Sequence, residues 1–163
     1  MAGLRNSRWV VLDRYLALTV GSHRTTAWSL GKAREAAFSG LWDDLAASVL
    51  PGLALRSTTD SNVNTACVYE AGDADRSLYI SCVLPVYTAW EGGRFLDEAP
   101  HWGAGLTDAG LTFLGSSATR TLTPYVDDEA ERRITYFEML FEWIEGSDGP
   151  DESVLIDPWK HGS

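Results

Sequence analysis

The feature that most constrains the fold of this chain is a run of three β-rich segments in its middle. These segments span residues 63–70, 77–84 and 86–90. Residues 72–76, Gly-Asp-Ala-Asp-Arg, separate the first two and have the composition of a tight turn. Residues 91–94, Glu-Gly-Gly-Arg, supply a second turn after the third segment. Because strands joined by tight turns pair antiparallel, this region predicts an antiparallel sheet with a bulge or an edge at Pro85.

Shorter strands are expected on both sides of this region. The expected spans are 15–20, 53–56 and 118–122. In the first, Leu16, Leu18 and Val20 alternate with other residues at the period of a strand, and a helix starting near Ser7 is the alternative. Residues 97–118 are rich in glycine, which favours a loop.

Two helices are expected, at residues 31–50 and 128–145. The apolar residues of the first recur at helical spacing, and they are Phe38, Leu41, Leu45 and Val49, with Ser29 as the expected N-cap. Pro51-Gly52 ends this helix. The apolar residues of the second are Ala130, Ile134, Phe137, Phe141 and Ile144, and Gly146 ends it. The high β propensity of residues 134–137 runs against the second helix.

These elements predict an α+β fold. Its core is a mostly antiparallel sheet of about four to six strands, with the 31–50 and 128–145 helices packed on one face. Alternation of strands and helices is missing, which disfavours a doubly wound parallel sheet. A chain of 163 residues has the usual size of one domain. We therefore expect residues 1–163 to form a single globular domain with an irregular acidic tail from about residue 146.

Negative charge is concentrated toward the C-terminal end of the chain. The net charge is −10, and residues 1–56, 57–126 and 127–163 carry net charges of +3, −5 and −8. Clustered carboxylates repel phosphates, so nucleic-acid and membrane partners are not expected and a basic protein partner is favoured. Apolar runs are far shorter than the roughly 18 residues of a membrane-spanning helix. Since no signal-peptide pattern is present either, a cytoplasmic location is expected.

Part of this charge forms a stripe on the predicted 128–145 helix. The stripe consists of Glu131, Glu138, Glu142 and Glu145, opposite the apolar face. Like charges at helical spacing destabilise a helix by about 0.2–0.5 kcal/mol per pair, and a basic surface would compensate them. Tyr136 and Trp143 are the candidate apolar anchors. These six residues form the predicted partner-binding site, and the alternative is a solvated face of an acidic protein.

A second candidate site lies in the glycine-rich loop at residues 97–116. His101 follows Glu98 by three residues and would act as a general base beside Glu98 or Asp97, in a site around His101 and Trp102. A carboxylate-bridged metal site requires the Glu-x-x-His motif twice and on helices, whereas it occurs here once. No metal and no cofactor are therefore expected.

The two cysteines, Cys67 and Cys82, are predicted to face each other across the hairpin of the first two β-rich segments. Directly opposed pairs fit disulfide geometry poorly, and a cytoplasmic chain keeps its thiols reduced. They are interpreted as buried small apolar residues. Neither belongs to a Cys-x-x-Cys pair, which argues against metal or redox chemistry.

These features favour a non-enzymatic binding protein that neutralises or sequesters a basic protein partner, such as a toxin. Small size, seven tryptophans and surplus acid on one helix face are similar in kind to immunity proteins of secreted toxins and to inhibitors, and a bacterial source is expected. The alternative is a small enzyme or small-molecule-binding domain with its site around His101.

Overall fold

The computed structural model describes residues 8–25, 30–50, 55–72, 75–143 and 152–160, and these ranges contain two sheets and five helices. The strands are β1 (Arg24–Thr25), β2 (Leu55–Ser57), β3 (Ala66–Ala71), β4 (Arg76–Ser81), β5 (Val86–Glu91), β6 (Arg94–Phe95), β7 (Thr112–Phe113), β8 (Leu122–Asp127) and β9 (Arg132–Thr135). The helices are α1 (Arg8–Val20), α2 (Gly31–Phe38), α3 (Asp43–Val49), α4 (Ala104–Asp108) and α5 (Tyr136–Leu140). Short 3-10 turns lie at His101–Gly103, Ser116–Thr119 and Glu152–Val154.

The larger sheet has the order β2-β3-β4-β5-β6, with β7 beside β5. Its neighbouring strands pair antiparallel except β5 and β7, which are parallel. The predicted α+β fold with a mostly antiparallel sheet is thus confirmed. Both predicted hairpins are present, joining β3 to β4 and β5 to β6, although residues 73–74 of the first turn lie outside the described residues.

The register of the β3–β4 hairpin differs from the predicted one. Cys67 lies opposite Ile80, so Cys82 is its diagonal neighbour and does not face it directly. The backbone N–H of Cys82 instead donates to the carbonyl of Thr65 at 2.9 Å. The cause is that β4 already begins at Arg76, which moves the centre of the hairpin toward the N-terminus.

A smaller sheet has the order β1-β8-β9. The predicted strand at 118–122 is wrong, because residues 118–119 end the 3-10 turn Ser116–Thr119 and the strand begins only at Leu122. The strand then runs through Pro124, which the sequence pattern placed after its end. A shift of register between Leu122 and Val126 accommodates a residue that has no N–H to donate.

The predicted helix at 128–145 is also wrong, because the chain turns sharply at residues 128–131. The Oδ1 atom of Asp127 accepts bonds from the N–H groups two and three residues later, at 3.0 and 2.7 Å. Glu131 adopts the left-handed backbone conformation, with a φ of 53°. Side-chain-capped turns of this kind compete with a helix, and here they reverse the chain into the β8–β9 hairpin.

The residues after this turn follow their local propensities. Ile134 and Thr135 are β-branched and belong to β9. Thr135 then caps α5: its side chain accepts the N–H of Glu138, while the Glu138 carboxylate accepts the N–H of Thr135. This capping box starts the short helix where the strand ends.

The N-terminal segment is the helix α1, so the predicted strand at 15–20 is wrong and the alternative helix is present. Leu12 and Leu16, four residues apart, are buried in the core, whereas Leu18 is 84% exposed. Burial of residues at helical spacing therefore outweighs the alternation of Leu16, Leu18 and Val20.

The predicted helix at 31–50 is broken into α2 and α3. Gly40 has a φ of 77°, which a helix does not accommodate. The break turns the expected core residues Phe38 and Leu41 outward, while Ala37 and Ala46 are buried instead. The expected cap, Ser29, lies outside the described residues.

Helices cover both faces of the larger sheet, which differs from the predicted packing on one face. On one face the buried residues are Ala37, Ala46, Cys67, Tyr69, Leu78, Ile80, Tyr87, Leu106 and Leu111, from α2, α3, the sheet and the α4 region. On the other they include Leu12, Leu16, Ala66, Val86, Tyr125, Ile134, Tyr136, Phe137 and Leu140, from α1, the smaller sheet and α5. Alternate residues of β3 and β4 therefore serve two separate apolar clusters.

The segments predicted as loop and tail contain some order. Within residues 97–118, predicted as loop, lie α4 and β7. In the tail, Ile156 forms a parallel bridge with Thr121, and Asp157 forms an ion pair with Arg133. The described part of the tail is thus irregular but attached to the smaller sheet.

Candidate functional site

The predicted partner-binding stripe does not form, because its residues lie on different elements. Glu131 is exposed in the β8–β9 turn, whereas Tyr136 and Glu138 are buried in α5. Glu142 is half-buried, and its Oε1 accepts a bond from the Asn64 amide at 3.1 Å. The remaining two members are Trp143, which is half-buried, and Glu145, which lies outside the described residues.

Two of the predicted contact residues have structural partners instead. The Tyr136 ring stacks on Trp9 with centroids 4.5 Å apart, and its hydroxyl donates to the Trp9 carbonyl. The Glu138 carboxylate forms an ion pair with Arg132, whose guanidinium also lies 4.9 Å from the centre of the Trp143 ring. Tyr136 and Glu138 are therefore not available to a partner on this surface.

The residues of the alternative site, Glu98, His101 and Trp102, line neither of the two described pockets. Glu98 and His101 are exposed, and His101 begins a 3-10 turn. Trp102 is half-buried, and its indole N–H has no acceptor within the described ranges. An apolar groove of about 260 Å³ does occur, but it lies elsewhere, against α1.

The surface with the most distinctive chemistry is the α2–α3 corner, which we define as residues 35–44. Phe38 and Leu41 are 71% and 57% exposed there, at the turn between the two helices. The corner also carries three carboxylates, on Glu35, Asp43 and Asp44, and no basic residue. All three acidic residues are exposed. Exposed apolar side chains surrounded by one sign of charge are typical of a protein-binding surface.

Gly40 sets the shape of this corner. Its positive φ redirects the chain between α2 and α3, and the Ser39 and Gly40 N–H groups still close the end of α2 on the carbonyls of Glu35 and Ala37. A Cβ atom at position 40 would collide with the carboxylate of Asp43. Glycine at position 40 is therefore required for the turn between α2 and α3.

Three contacts anchor the corner to the sheet beneath it. The indole N–H of Trp42 donates to the Ser81 carbonyl at 3.1 Å, and the Tyr69 hydroxyl donates to Asp43 Oδ1 at 2.7 Å. The Cys67 thiol lies 3.5 Å from the Ala37 carbonyl. Burial, and then the bond to Asp43, raise the pKa of Tyr69, so the phenol stays protonated as a donor. The exposed side chains are thus held on a fixed support.

The sequence contained a signal for this corner that the helix pattern obscured. Phe38 and Leu41 fit the apolar stripe of one long helix, and this spacing predicts that they face the sheet. Gly40 lies between them, however, and Asp43-Asp44 follow directly, and acidic residues are typical of a first helical turn. Glycine followed by this pair indicates a helix end and a new helix start.

A second apolar surface lies along α1. Val11, Tyr15 and Leu18 are exposed at spacings of four and three residues, beside the groove of about 260 Å³. The groove is lined by Arg8, Val11, Leu12, Tyr15, Leu84, Pro85, Val86, Thr112 and Leu114. The charged residues on the exposed face of this helix, Arg8 and Arg14, are basic. Its charge is therefore opposite to that of the α2–α3 corner.

A cluster of titratable groups forms around Asp13, in the middle of α1. The Oδ1 atom of Asp13 is 3.8 Å from Nε2 of His23, whose ring meets Tyr125 edge-on at 5.1 Å. Burial raises the pKa of Asp13, and His23 opposes this shift. Burial also raises the pKa of Tyr125 to about 12. Such groups can exchange protons, but the Asp13–His23 distance exceeds a hydrogen bond and the α1 groove is not lined by any of the three.

The described ranges contain neither a cluster of metal-ligating side chains nor a membrane-spanning helix. No group of three or more His, Cys, Asp or Glu side chains there could hold a metal ion. No helix in the same ranges has the length and apolarity needed to cross a bilayer. No protein-family model, curated protein or solved structure matches this chain.

Proposed function

We propose that this protein is a non-enzymatic binding protein that neutralises or sequesters a basic protein partner through its α2–α3 corner. The observation that carries the proposal is the pairing of two exposed apolar side chains, Phe38 and Leu41, with the carboxylates of Glu35, Asp43 and Asp44. The carboxylates attract the partner, and the apolar pair supplies the buried contact that slows its dissociation.

The corner supports this proposal better than the C-terminal acidic segment does. In that segment Asp128, Glu138 and Asp157 form ion pairs with Arg24, Arg132 and Arg133. Part of the charge expected to project toward a partner is therefore compensated within the protein. In contrast, Glu35 and Asp44 form no ion pair with any other described residue.

The support beneath the corner is also favourable for binding. A surface that is already ordered loses less conformational entropy when a partner docks. The bonds from Trp42 to Ser81 and from Tyr69 to Asp43 hold the α3 end of the turn before the partner arrives, and the Cys67 thiol contacts the Ala37 carbonyl at the α2 end. In its finer form, we propose an immunity or inhibitor protein of a bacterial cytoplasm, whose partner is a basic toxin or enzyme.

The first step of the test identifies the partner by position. A photo-cross-linking amino acid is placed at position 38 (Phe38→p-benzoylphenylalanine) and irradiated with extract of the source organism. The control carries the same group in place of Tyr15, on the exposed face of α1. The proposal expects a basic protein that is captured from position 38 and not from position 15. Capture of only acidic or neutral proteins from position 38 contradicts it.

The second step measures association with that purified protein. The double variant Glu35→Lys/Asp44→Lys should lower the association rate constant at low salt by about tenfold or more, because it reverses the local field. The matched control, Glu129→Lys/Glu131→Lys, changes the net charge equally at the β8–β9 turn. Equal effects of the two double variants would mean that only bulk charge matters, and the corner would be rejected. Leu41→Ala should mainly raise the dissociation rate constant.

A further inference from the structure

Two cysteines lie in contact beneath the α2–α3 corner. The Sγ atoms of Cys67 and Cys82 are 3.8 Å apart, and both thiols are free. This distance is about 1.8 Å longer than the roughly 2.05 Å of a disulfide bond. Cys82 follows the last residue of β4 and lies in a bend, so its side chain is not held in the pleat of the sheet. Rotation of the two side chains can therefore bring the sulfur atoms together.

The two sulfur atoms differ in access to solvent. Cys67 is fully buried, whereas Cys82 is partly exposed. A small oxidant can consequently reach Cys82, while Cys67 is shielded from further oxidation and from other thiols. Pairs with one reachable and one protected sulfur are suited to closing a disulfide after the first oxidation step.

The contact between the sulfur atoms also favours a thiolate. The hydrogen bond from Cys82 lowers the pKa of Cys67 to about 6, although burial opposes this shift. The same contact raises the pKa of Cys82, so ionisation of the pair leaves one proton shared by the two sulfur atoms. Transfer of that proton along the contact places the negative charge on either sulfur. The thiolate is the reactive form of cysteine.

We propose that Cys67 and Cys82 are a redox-active dithiol that closes to an intramolecular disulfide when the protein meets a peroxide. The Cys82 sulfur attacks hydrogen peroxide, its S–O bond forms as the O–O bond breaks, and hydroxide leaves and takes up a proton. The Cys67 sulfur then attacks the resulting sulfenic acid, the S–S bond forms, and the hydroxyl group leaves as a second water. Two thiols are oxidised by two electrons and one peroxide is reduced to two waters.

Oxidation changes what supports the corner. In the reduced protein the Cys67 sulfur lies 3.5 Å from the Ala37 carbonyl at the end of α2. A disulfide removes the thiol proton and draws the Cys67 sulfur toward Cys82. Cys82 and Trp42 pack against the same apolar cluster. The corner therefore loses one of its three anchors. Any effect on partner binding rests on the proposed function, whereas formation of the disulfide does not.

Mass spectrometry of the intact protein tests the proposal without a partner. The reduced protein is treated with hydrogen peroxide at low molar excess, and the remaining thiols are then alkylated. We expect the loss of two hydrogen masses, no alkylation, and full recovery after a phosphine reductant. The same reaction in urea should be slower by about tenfold or more, because unfolding removes the sulfur–sulfur proximity. Equal or faster disulfide formation in urea overturns the proposal.

Single variants identify the roles of the two sulfur atoms. In Cys67→Ser, peroxide should leave Cys82 as a sulfenic acid that a dimedone probe captures. In Cys82→Ser, the buried Cys67 should stay unmodified, which keeps the test valid if Cys67→Ser does not fold. A wild-type protein that gains oxygen at Cys82 without losing two hydrogen masses contradicts the proposal. Because none of these readouts involves a partner, failure of the α2–α3 corner as a binding surface would not affect them.

Discussion

Arg132 and Glu138 form an ion pair with two hydrogen bonds, and the carboxylate is closed to solvent. The Nη1–Oε1 and Nη2–Oε2 distances are 3.1 and 2.7 Å, and the Glu138 side chain is 0% exposed. Oε1 also accepts the backbone N–H of Thr135 at 3.1 Å. One side chain therefore joins the strand β9 to the helix α5 and neutralises the guanidinium beside it.

Removal of this carboxylate should destabilise the protein strongly. Glu138→Gln retains the size of the side chain but leaves the half-buried Arg132 without its counter-ion and weakens the capping box at Thr135. We expect the free energy of unfolding to fall by about 3–5 kcal/mol, which urea denaturation measures. The control Glu131→Gln, at an exposed position, should change it by less than about 0.5 kcal/mol. A similar fall in the free energy of unfolding in both variants would contradict a stabilising role of the buried Arg132–Glu138 ion pair.

The conformation of the α2–α3 corner depends on glycine at position 40. Gly40→Ala should lower the free energy of unfolding by at least about 1–2 kcal/mol, because a φ of 77° is unfavourable for alanine and the Cβ meets Asp43. Gly31→Ala is the matched control, since it lies in α2 and its Cβ would meet no atom within 4 Å. That variant should be neutral or more stable by about 0.4–1 kcal/mol. Thermal unfolding of the two variants distinguishes a strained glycine from a general loss on substitution.

The hydroxyl of Tyr69 is expected to hold the start of α3. Tyr69→Phe removes its 2.7 Å bond to Asp43 while keeping the buried ring, so the free energy of unfolding should fall by about 1 kcal/mol. Hydrogen exchange of the backbone amides in residues 41–46 should accelerate in this variant, whereas amides of β9 should not change. Uniform acceleration over the whole chain would instead indicate a global effect without a local anchor.

Asp13 should make stability depend on pH in an unusual direction. Burial raises the pKa of this carboxyl above its ordinary value of 3.8, so the folded protein disfavours its ionised form. Its contribution to stability is complete below that ordinary value and is lost as the pH rises through the folded-state pKa. Asp13→Asn should therefore gain stability relative to the wild type as the pH increases from about 4 to 7, measured by urea denaturation at each pH.

Asp157 supplies a contrast of opposite sign. The bond from Arg133 holds the pKa of this carboxyl below its ordinary value of 3.8, although burial opposes the shift. Its contribution is present above the ordinary pKa and is lost as the pH falls through the folded-state pKa. Asp157→Asn should thus be less stable than the wild type at pH 7, and the difference should shrink in acid. The same pH trend in both variants would show that one of the two environments is not as described.

The elements that could be predicted from the sequence are those specified by neighbouring residues. The β3–β4 and β5–β6 hairpins are confirmed because their turn chemistry lies within a few residues, and the register erred only because β4 starts earlier, at Arg76. At α1 the residues fit both periods, and only burial of Leu12 and Leu16 decides for the helix. That burial depends on residues more than 100 positions away, such as Tyr136, which local patterns do not reveal.

The predicted partner-binding stripe on the 128–145 helix was also wrong because local patterns did not reveal the fold of this segment. Residues 130–144 have apolar side chains at convincing helical spacing, but Glu131 takes the left-handed conformation and reverses the chain. The partner of Glu138 is Arg132, six residues before it, which a helical pattern would have placed on another face. At the α2–α3 corner the helical spacing likewise points Phe38 and Leu41 toward the core. Their exposure depends on the break at Gly40, which the spacing does not reveal.

The parallel pairing of β1 with β8 has a consequence for biosynthesis. Thr25 lies opposite Asp127, and α1 packs in one apolar cluster with β8, β9 and α5. At about 5–20 residues per second, the ribosome completes β8 roughly ten seconds after α1. Leu12 and Leu16 therefore lack the part of their apolar cluster that β8, β9 and α5 supply during that interval. We expect this half of the molecule to close only after β8, β9 and α5 have been synthesised.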